Sequence, residues 1–130
     1  MTRKILLVDD EDSVLDVIEA ILSRGEASEV RRARDGDEAL EIANEWKPDL
    51  VIVDVLMPTV NGYEVCLALK ENPLTRDAKV VMVTGLDQEF DRDKALNEVG
   101  ADGYLSKPFT ATALMSEVLA QLGPQEVSAV

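Results

Sequence analysis

The chain has 130 residues, 46% of them hydrophobic and 30% charged, with a formal net charge of −13. That length fits one compact domain with one proper core, and so acidic a chain lacks the basic surface that general nucleic-acid binding needs. With no histidine and a single cysteine, Cys66, it can build no Ser-His-Asp triad, no zinc site of its own His or Cys ligands and no intrachain disulfide. Neither GxGxxG nor GxxxxGK occurs, so the glycine-rich dinucleotide and nucleotide loops are absent. No apolar stretch approaches the ~20 residues that span a bilayer. Met1-Thr2-Arg3-Lys4 leads straight into a strand with no signal-peptide hydrophobic region. A cytoplasmic protein with no membrane partner is expected.

Along the chain, a short apolar run alternates five times with a helical pattern. The first strand, near 4–9, precedes a helix near 12–24 whose Val14, Leu15, Ile18, Ile21 and Leu22 share one face. The second strand, Glu29–Ala33, alternates polar and apolar and is followed closely by Arg34 after Arg31 and Arg32, which marks a sheet edge. A helix near 36–46 stops at Lys47-Pro48, because the residue before proline disfavours the helical region. Trp46 is expected to pack beside Pro48 on the surface. The third strand covers 49–54, and a loop, Leu56–Asn61, leads to a helix at about 62–71 that carries Cys66 at an apolar, core-facing position. In the loop, Met57 reads as a packing residue. After Asn72-Pro73 come a fourth strand at 79–84, a charged helix near 88–99, the Gly100–Gly103 turn, a fifth strand and a last helix near 110–122. The domain is expected over 1–123, with 124–130 a frayed tail.

Four of these runs end in reactive polar residues. Ile5–Val8 runs into Asp9-Asp10, Leu50–Val53 into Asp54, Val80–Val83 into Thr84, and Tyr104–Ser106 into Lys107-Pro108. Short apolar runs alternating with helices read as parallel strands buried on both faces. Right-handed crossovers and two polar edge strands favour the order 2-1-3-4-5 in a doubly wound α/β sheet. In that order Asp9, Asp10 and Asp54 face one another across the crevice where the chain direction reverses. Two unit charges ~4 Å apart repel by about 4 kcal/mol at an effective dielectric of ~20. Such a cluster raises a pKa or recruits a cation, and an all-oxygen site with room for water suits Mg2+. The plainer alternative is that Asp9-Asp10 cap the following helix and Asp54 satisfies a loop. It requires Thr84 and Lys107 to reach the same edge by accident.

Four separated motifs, LLVDDE at 6–11, DLVIVDVLMPTVNGYE at 49–64, VVMVTG at 80–85 and ADGYLSKPF at 101–109, resemble the receiver domain of two-component response regulators, including chemotaxis regulators. The resemblance runs from Lys4 to Leu122 and implies a flavodoxin-like (βα)5 fold. It implies that Asp54 is the phosphoacceptor, that Asp10 ligates Mg2+ directly, and that Asp9 holds metal-bound water. Leu56 would offer its backbone carbonyl to the metal. Thr84 would hydrogen-bond the phosphoryl group, Lys107 would pair with it, and Tyr104 would change orientation on activation. A cis Lys107-Pro108 bond is also implied. Aspartate is a competent covalent nucleophile, and phosphoryl transfer asks mainly for positioning and charge neutralisation.

The resemblance thus implies a signalling switch that catalyses its own phosphorylation rather than a classical enzyme. The phosphoryl donor would be a histidine kinase or histidine phosphotransfer protein. The reader would be a downstream effector, bound through the face of the 88–99 helix, the fifth strand and the last helix; a phosphorylation-dependent homodimer is left open. The 88–99 helix has only Phe90, Ala95, Leu96 and Val99 as apolar contacts, and thin anchoring implies easy rearrangement. The resemblance further implies that Leu56 and Leu86 flank the route of attacking water, which neither side chain can orient, so slow loss of phosphate is expected. A phosphatase with an aspartyl-phosphate chemistry would want a second acid where Leu56 stands. A module that kept the fold and lost phosphorylation would be expected to lack the acidic pair, Asp54 or Lys107, and all are present. Whether the chain stands alone or is part of something larger stays open.

Overall fold

A computed structural model describes residues 3–25, 28–57, 60–85 and 94–123. Five strands, β1 (Arg3–Val8), β2 (Ser28–Ala33), β3 (Leu50–Asp54), β4 (Lys79–Gly85) and β5 (Gly103–Lys107), alternate with helices. These are α1 (Asp12–Gly25), α2 (Gly36–Trp46), α3 (Gly62–Glu71) and, after a helical turn at Lys94–Glu98, α4 (Ala111–Leu122). The sheet is parallel throughout, in the order β2-β1-β3-β4-β5. This is the flavodoxin-like arrangement expected from the sequence.

Period-two alternation inside continuous apolar runs sends side chains to both faces. Leu6, Val8, Val51, Val53, Val80 and Met82 pack against α2 and α3 through Ala39, Ala43, Trp46, Val65, Cys66 and Leu69. Ile5, Leu7, Leu50, Ile52, Val81 and Val83 pack against α1 and α4 through Leu15, Ile18, Leu22, Leu114 and Val118. Each fully buried side chain of this kind contributes roughly 1.5–3 kcal/mol. Together the two layers hold the strand ends, and whatever those ends carry, in fixed register.

Side-chain caps start α2, α3 and α4. Asp35 accepts from the Glu38 N–H at 2.8 Å, Asn61 from Glu64 at 3.0 Å and Thr110 from Ala113 at 3.0 Å, each satisfying a donor the helix itself cannot. α2 ends on Lys47 in the left-handed region (φ 54°), whose N–H bonds Ala43 O, and Pro48 prevents continuation. At the β2 edge, Arg32 reaches Asp16 and Glu19 of α1 at 2.8 Å each, and Arg34 reaches Asp12 at 2.7 Å. Arg32 and Arg34 therefore tie this edge to α1.

Two expectations need correction. Trp46 is not on the surface: only 8% of it is exposed, and it belongs to the core under α2. The buried positions of α2 are Gly36, Ala39, Ala43 and Trp46, a helical spacing that carries the ring inward. Arg31 lies 4.7 Å from the ring centroid and Lys4 5.9 Å from it, cations attracted to the aromatic face. The second correction concerns the 88–99 helix. Its described part, Lys94–Glu98, is a single wide π-type turn rather than an α-helix. The Ala101 N–H reaches back to Ala95 O at 2.8 Å, and Gly100 adopts φ 79°, a geometry that favours glycine. Residues 86–93, with Leu86 and Phe90, lie outside the described residues, as do Pro58 and the expected tail at 124–130.

Candidate functional site

Strand register decides what meets at the carboxyl edge of the sheet. Val8 pairs with Val53, and Asp54 with Val83. Asp9 and Asp10 therefore emerge beside Asp54, and Thr84 lies one residue beyond the partner of Asp54. Thr84 in turn pairs with Ser106, and Gly85 with Lys107. The carboxylates of Asp9, Asp10 and Asp54 each offer an oxygen within 4.8 Å of the others. Asp9 and Asp54 are buried, 2% and 4% exposed, while Asp10 faces solvent. Lys107 Nζ stands between the buried pair, 3.3 Å from Asp9 Oδ2 and 3.5 Å from Asp54 Oδ2. The Lys107-Pro108 peptide is cis.

Backbone donors complete the inner shell. The Glu11 N–H donates to Asp9 Oδ1 at 2.9 Å, and the Leu56 N–H reaches Asp54 Oδ1 at 3.4 Å. Thr84 is buried at the end of β4, its hydroxyl 3.5 Å from the Gly85 carbonyl. Leu56 is 63% exposed, whereas Met57 is buried. Tyr104 is half-buried and packs against the core beneath α2 and α3. The sequence pattern brought all the acidic residues, Thr84 and Lys107 to one edge, but gave no sign of the main-chain donors at Glu11 and Leu56, because an N–H has no residue-type signature.

Burial controls the protonation of this cluster. Desolvation pushes the Asp9 carboxyl up to about 6, with the Asp54 charge adding to it, against the pull of the Glu11 N–H and Lys107. Desolvation likewise raises Asp54, with Lys107 as the main opposing influence. Desolvation draws Lys107 down, but the charges of Asp54 and Asp9 outweigh it, and the ammonium is held above its usual range. When all are ionised, three carboxylates face one ammonium, and two negative charges remain in excess. An oxygen-only cluster with that surplus, partly open to water through Asp10, fits a small divalent cation such as Mg2+, which keeps several waters and takes few protein ligands.

A family model described as the response regulator receiver domain matches residues 5–119. The alkaline phosphatase synthesis transcriptional regulatory protein PhoP of Bacillus subtilis is 40% identical over 129 residues, covering 99% of this chain and 52% of PhoP. The chain thus spans about half the length of that relative. Among solved structures, the chemotaxis response regulator CheY4 of Vibrio cholerae superposes with a TM-score of 0.84 at 30% identity, covering 94% of this chain and 100% of its own. The receiver domain of a sensor histidine kinase from Pseudomonas aeruginosa gives a TM-score of 0.84 at 27% identity, over 95% of this chain and 100% of its own. That neighbour was solved with a magnesium ion coordinated in its active site cleft.

Proposed function

This chain belongs to the response regulator receiver domain family of two-component systems, and from that premise we propose that it is a Mg2+-dependent switch phosphorylated on Asp54. The observation that carries the reading is the buried Asp54 carboxylate, set at a strand end within 3.5 Å of Lys107 and inside a three-carboxylate cluster. A group so placed is desolvated, oriented and supplied with a counter-charge before any donor arrives.

The donor is a phosphohistidine on a histidine kinase or phosphotransfer protein, as membership of the two-component receiver family implies. A carboxylate oxygen of Asp54 forms the O–P bond as the P–N bond of the donor breaks. The bonding pair leaves with the imidazole, which takes up a proton. Mg2+, held by Asp10, Asp54 and the Leu56 carbonyl, with Asp9 on its bound water, would neutralise charge on the transferred group. Lys107 exchanges its carboxylate partners for a phosphoryl oxygen. The Thr84 hydroxyl donates to another, and its shift is passed to Tyr104 on the adjacent strand. Effectors then read the face formed by the Lys94–Glu98 turn, β5 and α4, whether they are separate proteins, further domains of a longer chain or a second copy.

The test is intact mass after incubation with a small-molecule phosphodonor, with Mg2+ or with chelator. One added phosphoryl group is expected only with Mg2+, and none on Asp54→Asn. Labelling of Asp54→Asn equal to the parent would refute the assignment.

A further inference from the structure

The residue that lies against the phosphoacceptor's own peptide is a glycine. Gly62 opens α3, and its N–H donates to the Val55 carbonyl at 2.8 Å. A Cβ built on Gly62 would stand 2.5 Å from the Asp54 carbonyl oxygen, 2.8 Å from Val55 Cα and 3.1 Å from the Asp54 carbonyl carbon. Real Cβ atoms do not come as close as the first two, and all three obstacles are main-chain atoms, which cannot rotate aside as a side chain can. Gly62 is outside the positive-φ region that Gly100 and Gly123 occupy. Its need for glycine is therefore one of space and not of backbone conformation.

The contrast with Gly36 sharpens the point. A Cβ there would also be crowded, at 2.6 Å, but against the side chain of Val60. Of these two, only Gly62 has the intrusion fall on the peptide joining Asp54 to Val55. That peptide sets two things together: the direction of the Asp54 carboxylate, and the course of the next residues to the Leu56 main chain. We propose that Gly62 is a positioning residue for phosphoryl transfer, its missing side chain allowing the start of α3 to fix the 54–56 backbone in its reactive place. The inference rests on the assignment of Asp54 as acceptor.

A displacement of about 1 Å in a reacting group can cost on the order of a hundredfold in rate. Gly62→Ala is therefore expected to lower both Mg2+ affinity, followed by amide NMR shifts of the folded protein, and the labelling rate with a small phosphodonor, each by roughly tenfold or more. Asn61→Ala is the control. It removes the cap on Glu64 N–H, and so loosens the same helix end, without placing an atom against Asp54. It should lose stability yet keep the parent's Mg2+ affinity and rate. Should Gly62→Ala not fold unaided, the same readings are taken in an osmolyte that favours the compact state. In parallel, the amide signal of Gly62 in the parent protein should shift on saturation with Mg2+. Parent-like affinity and rate in Gly62→Ala, losses matched by Asn61→Ala, or a Gly62 amide blind to Mg2+ would overturn the proposal. A parent protein that neither binds Mg2+ nor takes phosphate would instead overturn the assignment of Asp54.

Discussion

At the scale of single residues, the site combines buried acids with one ammonium, and its pH dependence follows. Asp9 titrates at about 6 in the folded chain against an ordinary value of 3.8, because burial disfavours its charge. The folded state therefore binds the proton more tightly than the unfolded state. Its contribution to stability is present below the unfolded value and is lost as pH rises through the folded one. In the presence of chelator, the protein should be more stable at about pH 5 than at about pH 7.5 by on the order of 1–1.5 kcal/mol from this group. Urea unfolding at both pH values checks it. Asp9→Asn should flatten the difference, and an unchanged slope in that variant would contradict the cause given. Lys107→Met leaves two buried carboxylates without their ammonium. It should cost about 1–3 kcal/mol near neutrality and less in acid, where the carboxyls protonate.

Cys66 gives a separate prediction at the same scale. Its thiol is fully buried, donates to Val99 O at 3.3 Å, and is pushed by burial up to about 11. Almost no thiolate exists near neutrality, so thiol reagents should label it only at the rate of unfolding. Rapid labelling of the native protein would contradict its packing. The apolar helical spacing of Cys66 made that burial legible in the sequence. Trp46 was misread because its neighbours Lys47 and Pro48 suggested a helix end at the surface, whereas its spacing from Ala39 and Ala43 is what decides its direction.

At the scale of elements, the segment after β4 is where sequence reasoning reached least far. A charged composition predicts an amphipathic helix near 88–99, but Gly100 at φ 79° and the Ala101 to Ala95 hydrogen bond widen its end into a π-type turn. Such closure depends on backbone geometry several residues away, which periodicity does not encode. The turn is anchored by few apolar groups, Ala95 and Val99, and by the Cys66 Sγ bond to Val99 O. Amide exchange over Lys94–Lys107 should therefore change when Asp54 is phosphorylated, while that of β1 and β3 should not. Unchanged exchange in the first segment would contradict the proposed output face. Trp46, the sole tryptophan, sits with Lys4 at the opposite end of β1 from Asp9, about 17 Å away at ~3.3 Å per residue. Its fluorescence should be insensitive to Mg2+ and to phosphorylation.

At the scale of the whole molecule, the strand order and both core layers were legible because continuous apolar strands, helical stripes and short connections all agree. The four reactive strand ends were legible for the same reason: parallel strands deliver their carboxyl termini to one edge. What composition could not supply was the protonation of the cluster, which depends on burial and on the 3.3 Å and 3.5 Å contacts of Lys107. A divalent cation entering there relieves repulsion between groups far apart in sequence, so it should stabilise the entire fold. Mg2+ at about a hundred times its Kd should add roughly 2.7 kcal/mol, reversed by chelator.

The central claim is that Asp54 itself carries the phosphoryl group, and chemical trapping tests it most directly. The phosphorylated protein is reduced with borohydride, which converts an acyl phosphate to the alcohol, and is then mapped by peptide mass spectrometry. The account predicts homoserine at position 54 alone, and only in Mg2+-treated samples. Reduction at Asp9 or Asp10, or a reduction-resistant phosphate on Thr84 or Ser106, would contradict it.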